Sequence, residues 1–199
     1  GNILNKRAYF DWNATAPLRE VSKAAMKQAM SNFGNPSSIH TEGRKAKAII
    51  ETARIQIAEA FGAGNSDIIF TSGATEAAAI ALRTREIECA GVEHPCILSN
   101  CVENLSTDGN GQILISKAQC STMQSANSET GILQNIPAGV FLSDFVQSFG
   151  KIPSSFDWSD VMSGILSAHK IGGPKGVGAL VIRSDIEVYD LLKGGGQEM

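Results

Sequence analysis

Residues 67–82 read DIIFTSGATEAAAIAL: an apolar run, a turn of small residues, then an alanine-rich stretch. The spacing predicts a short buried strand, a tight turn and a helix beginning near Thr75. A strand that passes so quickly into a helix places the helix against the sheet. It also leaves the free N–H groups of the helix N-terminus at the strand's end, which makes a good anion site. Further along, VFLSD, VMSGILS and GALVIR read as buried strands. Upstream, Leu18, Val21, Ala25 and Ala29 fall at helical spacing behind Pro17, and NFGNPSS then favours a loop. A longer helix follows, with Ile39, Gly43, Ala46, Ile50, Ala53, Ile57 and Phe61 at threes and fours and Gly62 or Gly64 as its stop. Strands alternating with helices imply an α/β fold with a mostly parallel central sheet.

The chain of 199 residues is long enough for one sizeable domain with a real core. Its net charge of −3 suggests no general affinity for nucleic acid or an anionic membrane. GILS is far too short to span a bilayer, and GNILNKRAYFDW lacks the apolar core of a secretory signal. The four cysteines, Cys89, Cys96, Cys101 and Cys120, show no CxxC pair and no zinc spacing. They read as reduced thiols of a cytosolic protein. There is no internal repeat and no low-complexity tract.

The connections look crowded. Parallel strands need a crossover of about a dozen residues. If NSETGILQN and VFLSD were neighbouring parallel strands, only Ile136, Pro137, Ala138 and Gly139 would join them. Similar crowding surrounds IECAGVEHP and ILISKAQCSTMQ. The expectation is that short segments are missing near 89–92, 116–122 and 136–140, and an intact mass well above 21.0 kDa would show it.

Several stretches can carry chemistry. In SAHK, Lys170 directly follows a buried strand, where a crowded amine becomes nucleophilic. The following GGPKGVG lacks the order of a nucleotide-binding P-loop, and on pattern alone a structural turn is the better account of the whole stretch. His94 in EHP is by itself an ordinary turn residue. Asp144 in SDFVQ stands at a strand's C-terminal end, where open α/β sheets bind ligands, although Asp144 and Gln147 also have capping-box spacing. SGAT alone is a common turn.

Taken in order, these stretches resemble the cysteine desulfurases of the class V aminotransferase group, enzymes dependent on pyridoxal 5'-phosphate (PLP). The matching stretches are YFDWNATAPL, GNPSSIHTEGR, IIFTSGATEA, EHPCIL, NSETGILQ, SDFVQSFGKIP, SAHKIGGPKGVGAL and GGGQE, from Tyr9 to Glu198. The resemblance implies a PLP-dependent transferase large domain of three α/β/α layers over residues 18–199, preceded by an N-terminal arm over 1–17 that packs on a small domain. It implies that Lys170 bonds covalently to PLP, with Lys175 belonging to the next turn. Ala74 and Thr75 would hold the phosphate, with Ser167 and His169 as further donors. His94 would stack on the pyridine ring and move protons. Asp144 would pair with the pyridine nitrogen and keep it protonated, and Gln147 would hydrogen-bond the phenolic oxygen.

Two departures accompany the resemblance. Where the family has two asparagines before the glutamate, this chain has Asn127 and Ser128, so the contact of the second asparagine with PLP is lost, bridged by water or made by Asn127. The chain also stops at GGGQEM, before the segments that carry the family's small domain, nucleophilic cysteine and carboxylate-binding arginine. It reads as the arm and most of the cofactor domain, inactive by itself. The whole enzyme would convert L-cysteine to L-alanine and pass sulfur through an enzyme cysteine to an acceptor for iron–sulfur clusters and other sulfur metabolism. A cytoplasmic homodimer and a sulfur-accepting scaffold protein are the implied assembly and partner. The alternatives are another class V enzyme, such as a selenocysteine lyase or an aminotransferase, or a truncated, inactive homologue acting as a binding protein.

Overall fold

The computed structural model describes residues 8–189. Strand β5 (Ser163–Ser167) is buried at every residue, which a strand achieves only when covered on both faces. Its neighbour β6 (Gly178–Arg183) runs antiparallel to it, with Ile165 opposite Leu180. Side chains alternate along both. Ile165, Leu180 and Ile182 join one core with Ala77, Ala78, Ala81 and Leu82 of helix α3 (Ala74–Leu82). Leu166, Ala179 and Val181 join a second core with Phe61 and Phe156. The period of two thus divides one apolar sequence between two cores and gives three layers.

The second core is aromatic. Phe61 closes helix α2 (Thr41–Phe61) and meets Phe145 edge-on at 4.9 Å and Phe149 at 5.0 Å. Gly62 then turns left-handed (φ 60°) and ends the helix, as its position predicts. Helix α1 (Glu20–Met30) buries none of its residues, and α2 only Gly43 and Phe61.

Four strands form one sheet in the order β1-β6-β5-β4, with β1 (Ser66–Thr71) at one end and β4 (Leu142–Asp144) at the other. β4 and β5 are parallel, while β6 is antiparallel to both its neighbours. β2 (Glu88–Ala90) and β3 (Val102–Leu105) form a parallel pair. The segment from Ser121 to Ala126 joins the two sheets through parallel bridges, Ser121 to Glu88 and Thr122 to Leu142. The architecture is the α/β sheet expected, with one reversed strand.

The connection into β4 is longer than the sequence pattern suggests. The strand-like partner of β4 is the segment 121–126 and not NSETGILQN, which turns back on itself through an antiparallel bridge from Ala126 to Leu133. The chain from 127 to 141 therefore has room to return to β4. Likewise α4 (Pro95–Leu98), a single turn, carries the chain between β2 and β3. Of the arm, residues 8–17 lie along the sheet's C-terminal edge, where the Ala16 N–H donates to His169 O at 2.8 Å. GGGQE lies outside the described residues.

Candidate functional site

β4 ends at Asp144 and β5 at Ser167, and the arm passes over both ends. Between them opens a cleft of about 1210 Å³. It brings together every residue singled out from sequence: Ala74, Thr75, His94, Asn127, Ser128, Asp144, Gln147, Ser167, His169 and Lys170. Lys175, Gly176 and Val177 contribute at its rim.

One wall is the N-terminus of α3. Gly73 is its N-cap and offers no side-chain cap, so the first-turn N–H groups have no intrahelical acceptor. Glu76 is drawn aside, because its carboxylate accepts from both the backbone N–H and the hydroxyl of Ser72. Those bonds hold it below the usual carboxylate range. The helix end thus stays open to an anion.

Lys170 lies on a 3-10 turn (Ala168–Lys170) immediately after β5. Its Nζ donates to the carbonyls of Asn13 at 2.9 Å and Ala14 at 2.7 Å. Burial lowers the amine's pKa, while Asp11 and Asp144 oppose that shift. Asp144 is half-buried, and its Oδ1 accepts from the Val146 N–H at 2.9 Å. That bond orients the carboxylate. Desolvation raises its pKa, and His94 and Lys170 pull it back. Among the described residues no ion pair satisfies Asp144, so its site suits a cationic group. The capping-box geometry is not formed, since the Gln147 amide is engaged by the arm instead.

His94 is the N-cap of α4, and its Nδ1 accepts from the Cys96 N–H at 3.2 Å. The neutral ring therefore carries its proton on Nε2. His169 Nδ1 meets Thr15 Oγ1 at 3.2 Å, and burial, then Lys170 and Lys175, lower its pKa. Asn127 is occupied by its own loop. Its Oδ1 accepts from the N–H groups of Glu129 and Thr130, each at 2.9 Å, and its Nδ2 donates to Val92 O at 3.2 Å. Ser128 is exposed, and its carbonyl accepts from Asn13 Nδ2 at 3.4 Å.

Sequence reasoning passed over three residues of this site. Glu93 is 4% exposed, and its Oε1 accepts from the Gln124 N–H at 2.8 Å and Thr122 Oγ1 at 3.3 Å. Burial, and then the nearby Asp144, push it up to about 8. Its one sequence signal is a carboxylate beside the His-Pro pair. Asn13 and Lys151 are the others, and both bond to Gln147. The thiols are quiet: burial pushes Cys96 and Cys101 up to about 12 and raises Cys89 as well. All four cysteines are free.

The family model described as aminotransferase class-V matches residues 8–103 and 103–199. The cysteine desulfurase IscS of Dictyoglomus turgidum is 36% identical over 231 positions, covering 98% of this chain and 59% of the relative. The cysteine desulfurase of Enterobacter agglomerans is 37% identical, covering 97% of this chain and 57% of the relative. This chain thus spans less than two thirds of the length of either. The first alignment is longer than the chain itself, so that relative has segments with no counterpart here. Among solved structures, a NifS-like protein from Rickettsia africae superposes with a TM-score of 0.84 at 32% identity, covering 96% of this chain and 62% of the other. A structure described as SspA in complex with cysteine gives 0.83 at 29% identity, covering 96% and 66%. With the family model matched along nearly all of its length, the chain belongs to the class-V aminotransferase family.

Proposed function

We propose that this chain binds PLP through Lys170 and forms the cofactor-binding part of a cysteine desulfurase, acting on L-cysteine and leaving L-alanine. One observation carries the reading: an amine, an unpaired carboxylate and an open helix N-terminus face a single cleft. That donor set fits PLP, which presents an aldehyde, a basic pyridine nitrogen and a phosphate. The N–H groups of Ala74 and Thr75 would hold the phosphate, with Ser167 and His169 adding donors. Asp144 would keep a proton on the pyridine nitrogen. His94 would lie against the ring and offer its Nε2 proton. When bound, the cofactor supplies an electron sink for the substrate α-carbon. Lys170, released from its covalent bond, would take the proton from that carbon.

The sulfur-accepting cysteine is none of Cys89, Cys96 or Cys101, whose buried thiols are poor sources of thiolate. The name of one structural neighbour includes cysteine as its bound ligand, which favours cysteine as the substrate class. A homodimer in the cytoplasm, handing sulfur to a scaffold protein, is the assembly we propose. Among the described residues no helix is long and apolar enough to cross a membrane.

The test is an absorption spectrum of the purified protein with added PLP. We expect a band at the border of the visible and near-ultraviolet, removed by borohydride and absent in Lys170→Ala. A protein with no such band at any PLP concentration overturns the reading.

A further inference from the structure

Gln147 and Lys151 stand four residues apart on the turn that follows β4. The turn is nearly helical, with Phe149 N–H donating to Phe145 O at 2.8 Å and Lys151 N–H to Ser148 O at 3.0 Å. Residues at this spacing share a face, and the Lys151 Nζ donates to Gln147 Oε1 at 2.8 Å. It also reaches Asn13 Oδ1 at 3.3 Å. On its other side Gln147 donates from Nε2 to Asn13 O at 3.0 Å.

These contacts remove a freedom that a side-chain amide normally keeps. Its oxygen and nitrogen are nearly the same size, and a half-turn exchanges an acceptor for a donor. An ammonium has only donors, so Oε1 must face Lys151. A carbonyl has only lone pairs, so Nε2 must face Asn13. Both constraints select one orientation, and the second N–H of Nε2 remains for the cleft that Gln147 lines. Lys170 Nζ rests on the same Asn13 carbonyl. Gln147 is therefore a donor held beside the reactive amine. In PLP the aldehyde carbon and the phenolic oxygen lie on adjacent ring atoms, so a donor beside the lysine is placed for that oxygen.

We infer that Lys151 is a positioning residue that locks the Gln147 amide so that it can only donate to an oxygen next to Lys170. The role of the lock in cofactor chemistry rests on the PLP reading above, but the lock itself does not. A donor on the phenolic oxygen stabilises its negative charge. With PLP bound, such a donor would lower the pH at which the visible band titrates. The other acidic and basic groups of the cleft around it are Asp11, Glu93, His94, Glu129, Asp144, His169, Lys170 and Lys175.

Two measurements test the inference. In the cofactor-free protein, the Gln147 side-chain amide is followed by 15N NMR and assigned by its loss in Gln147→Ala. We expect separated, slowly exchanging amide protons in the wild type and in Lys151→Arg, and a free-amide signal in Lys151→Met. An unchanged signal in Lys151→Met overturns the lock, whether or not PLP binds. In the PLP-loaded protein, Lys151→Met should titrate higher by about one pH unit, the scale of one lost hydrogen bond. The double variant Lys151→Met/Gln147→Ala should match Gln147→Ala alone. Full additivity would mean that Lys151 acts through its charge and not through Gln147, and would overturn the inference. A lock seen by NMR in a protein without a visible band would sink the PLP reading and leave the lock standing.

Discussion

Asp144 is half-buried and carries a carboxylate that burial disfavours, and no cation pairs with it among the described residues. A group kept at such a cost to the apoprotein makes a specific prediction. Asp144→Asn preserves shape and the acceptor for the Val146 N–H but removes the charge. The apoprotein should be as stable or slightly more stable in denaturant titration, because no charge need be desolvated. PLP affinity should fall by about 10²–10³-fold, the cost of removing one partner of an enclosed ion pair. A variant that loses stability and PLP affinity together would instead make Asp144 a structural residue. At this scale the sequence was informative only where residues cluster. Lys170 and His169 adjoin each other, and so do Asp144 and Gln147, so short motifs displayed them. Asn13 bonds to residues more than a hundred positions away, a relation that no local pattern contains. Glu93 looked like half of an ordinary turn because its burial depends on a strand that sequence did not reveal.

That strand is the segment from Ser121 to Ala126, and it explains most of the difference between expectation and structure. It reads STMQSA, with neither an apolar run nor an alternation. Yet Ser121, Thr122, Gln124 and Ser125 are all buried, and most of their polar groups are bonded: the Ser121 hydroxyl donates to Lys117 O at 2.7 Å, Glu93 accepts from the Thr122 hydroxyl and the Gln124 backbone N–H, and the Ser125 N–H donates to Asp144 O at 2.9 Å, while Gln124 Nε2 is buried without a partner. Periodicity detects apolar burial, and a strand buried through hydrogen bonds escapes it. Misplacing it at NSETGILQN created the crossover too short to close. The reversal of β6 escaped for another reason, since alternation carries no direction. The start of β6 also makes a prediction about the element beside it. A Cβ on Gly178 would lie 2.6 Å from the carbonyl carbon of Gly73 and 2.8 Å from Leu166 O, both backbone atoms that cannot step aside. Gly178→Ala should therefore push β6 from the turn that opens α3. We expect about 1–3 kcal/mol of lost stability in urea unfolding, together with weaker binding of inorganic phosphate and of PLP. Unchanged phosphate binding would show that the turn tolerates the displacement.

Across the whole molecule, the carboxylates beneath the cleft make stability depend on pH in an unusual direction. Glu93 titrates near 8 when folded, against an ordinary 4.5, and Asp144 is also raised. Between those pH values the unfolded chain releases a proton from Glu93 that the folded chain retains. The folded state therefore loses stability as pH rises through this window, and the contribution is fully present only below the unfolded value. Acidic groups in most proteins act in the opposite sense, because their native partners lower their pKa. Unfolding midpoints of the apoprotein at pH 5, 7 and 8.5 should decline, with Glu93 accounting for a few kcal/mol at most. Glu93→Gln keeps an oxygen for the Gln124 N–H and carries no charge, so its midpoints should be flatter and higher than wild type at pH 8.5. PLP should flatten the wild-type profile too, because a protonated pyridine nitrogen gives Asp144 a partner and removes its share of the penalty, while ligand binding stabilises the folded state by mass action. If Glu93→Gln declines as steeply as the wild type, the proton is not on Glu93. The decline would then have to come from the other raised carboxyl, Asp144, because the lowered pKa values of Lys151, His169 and Lys170 make stability rise with pH.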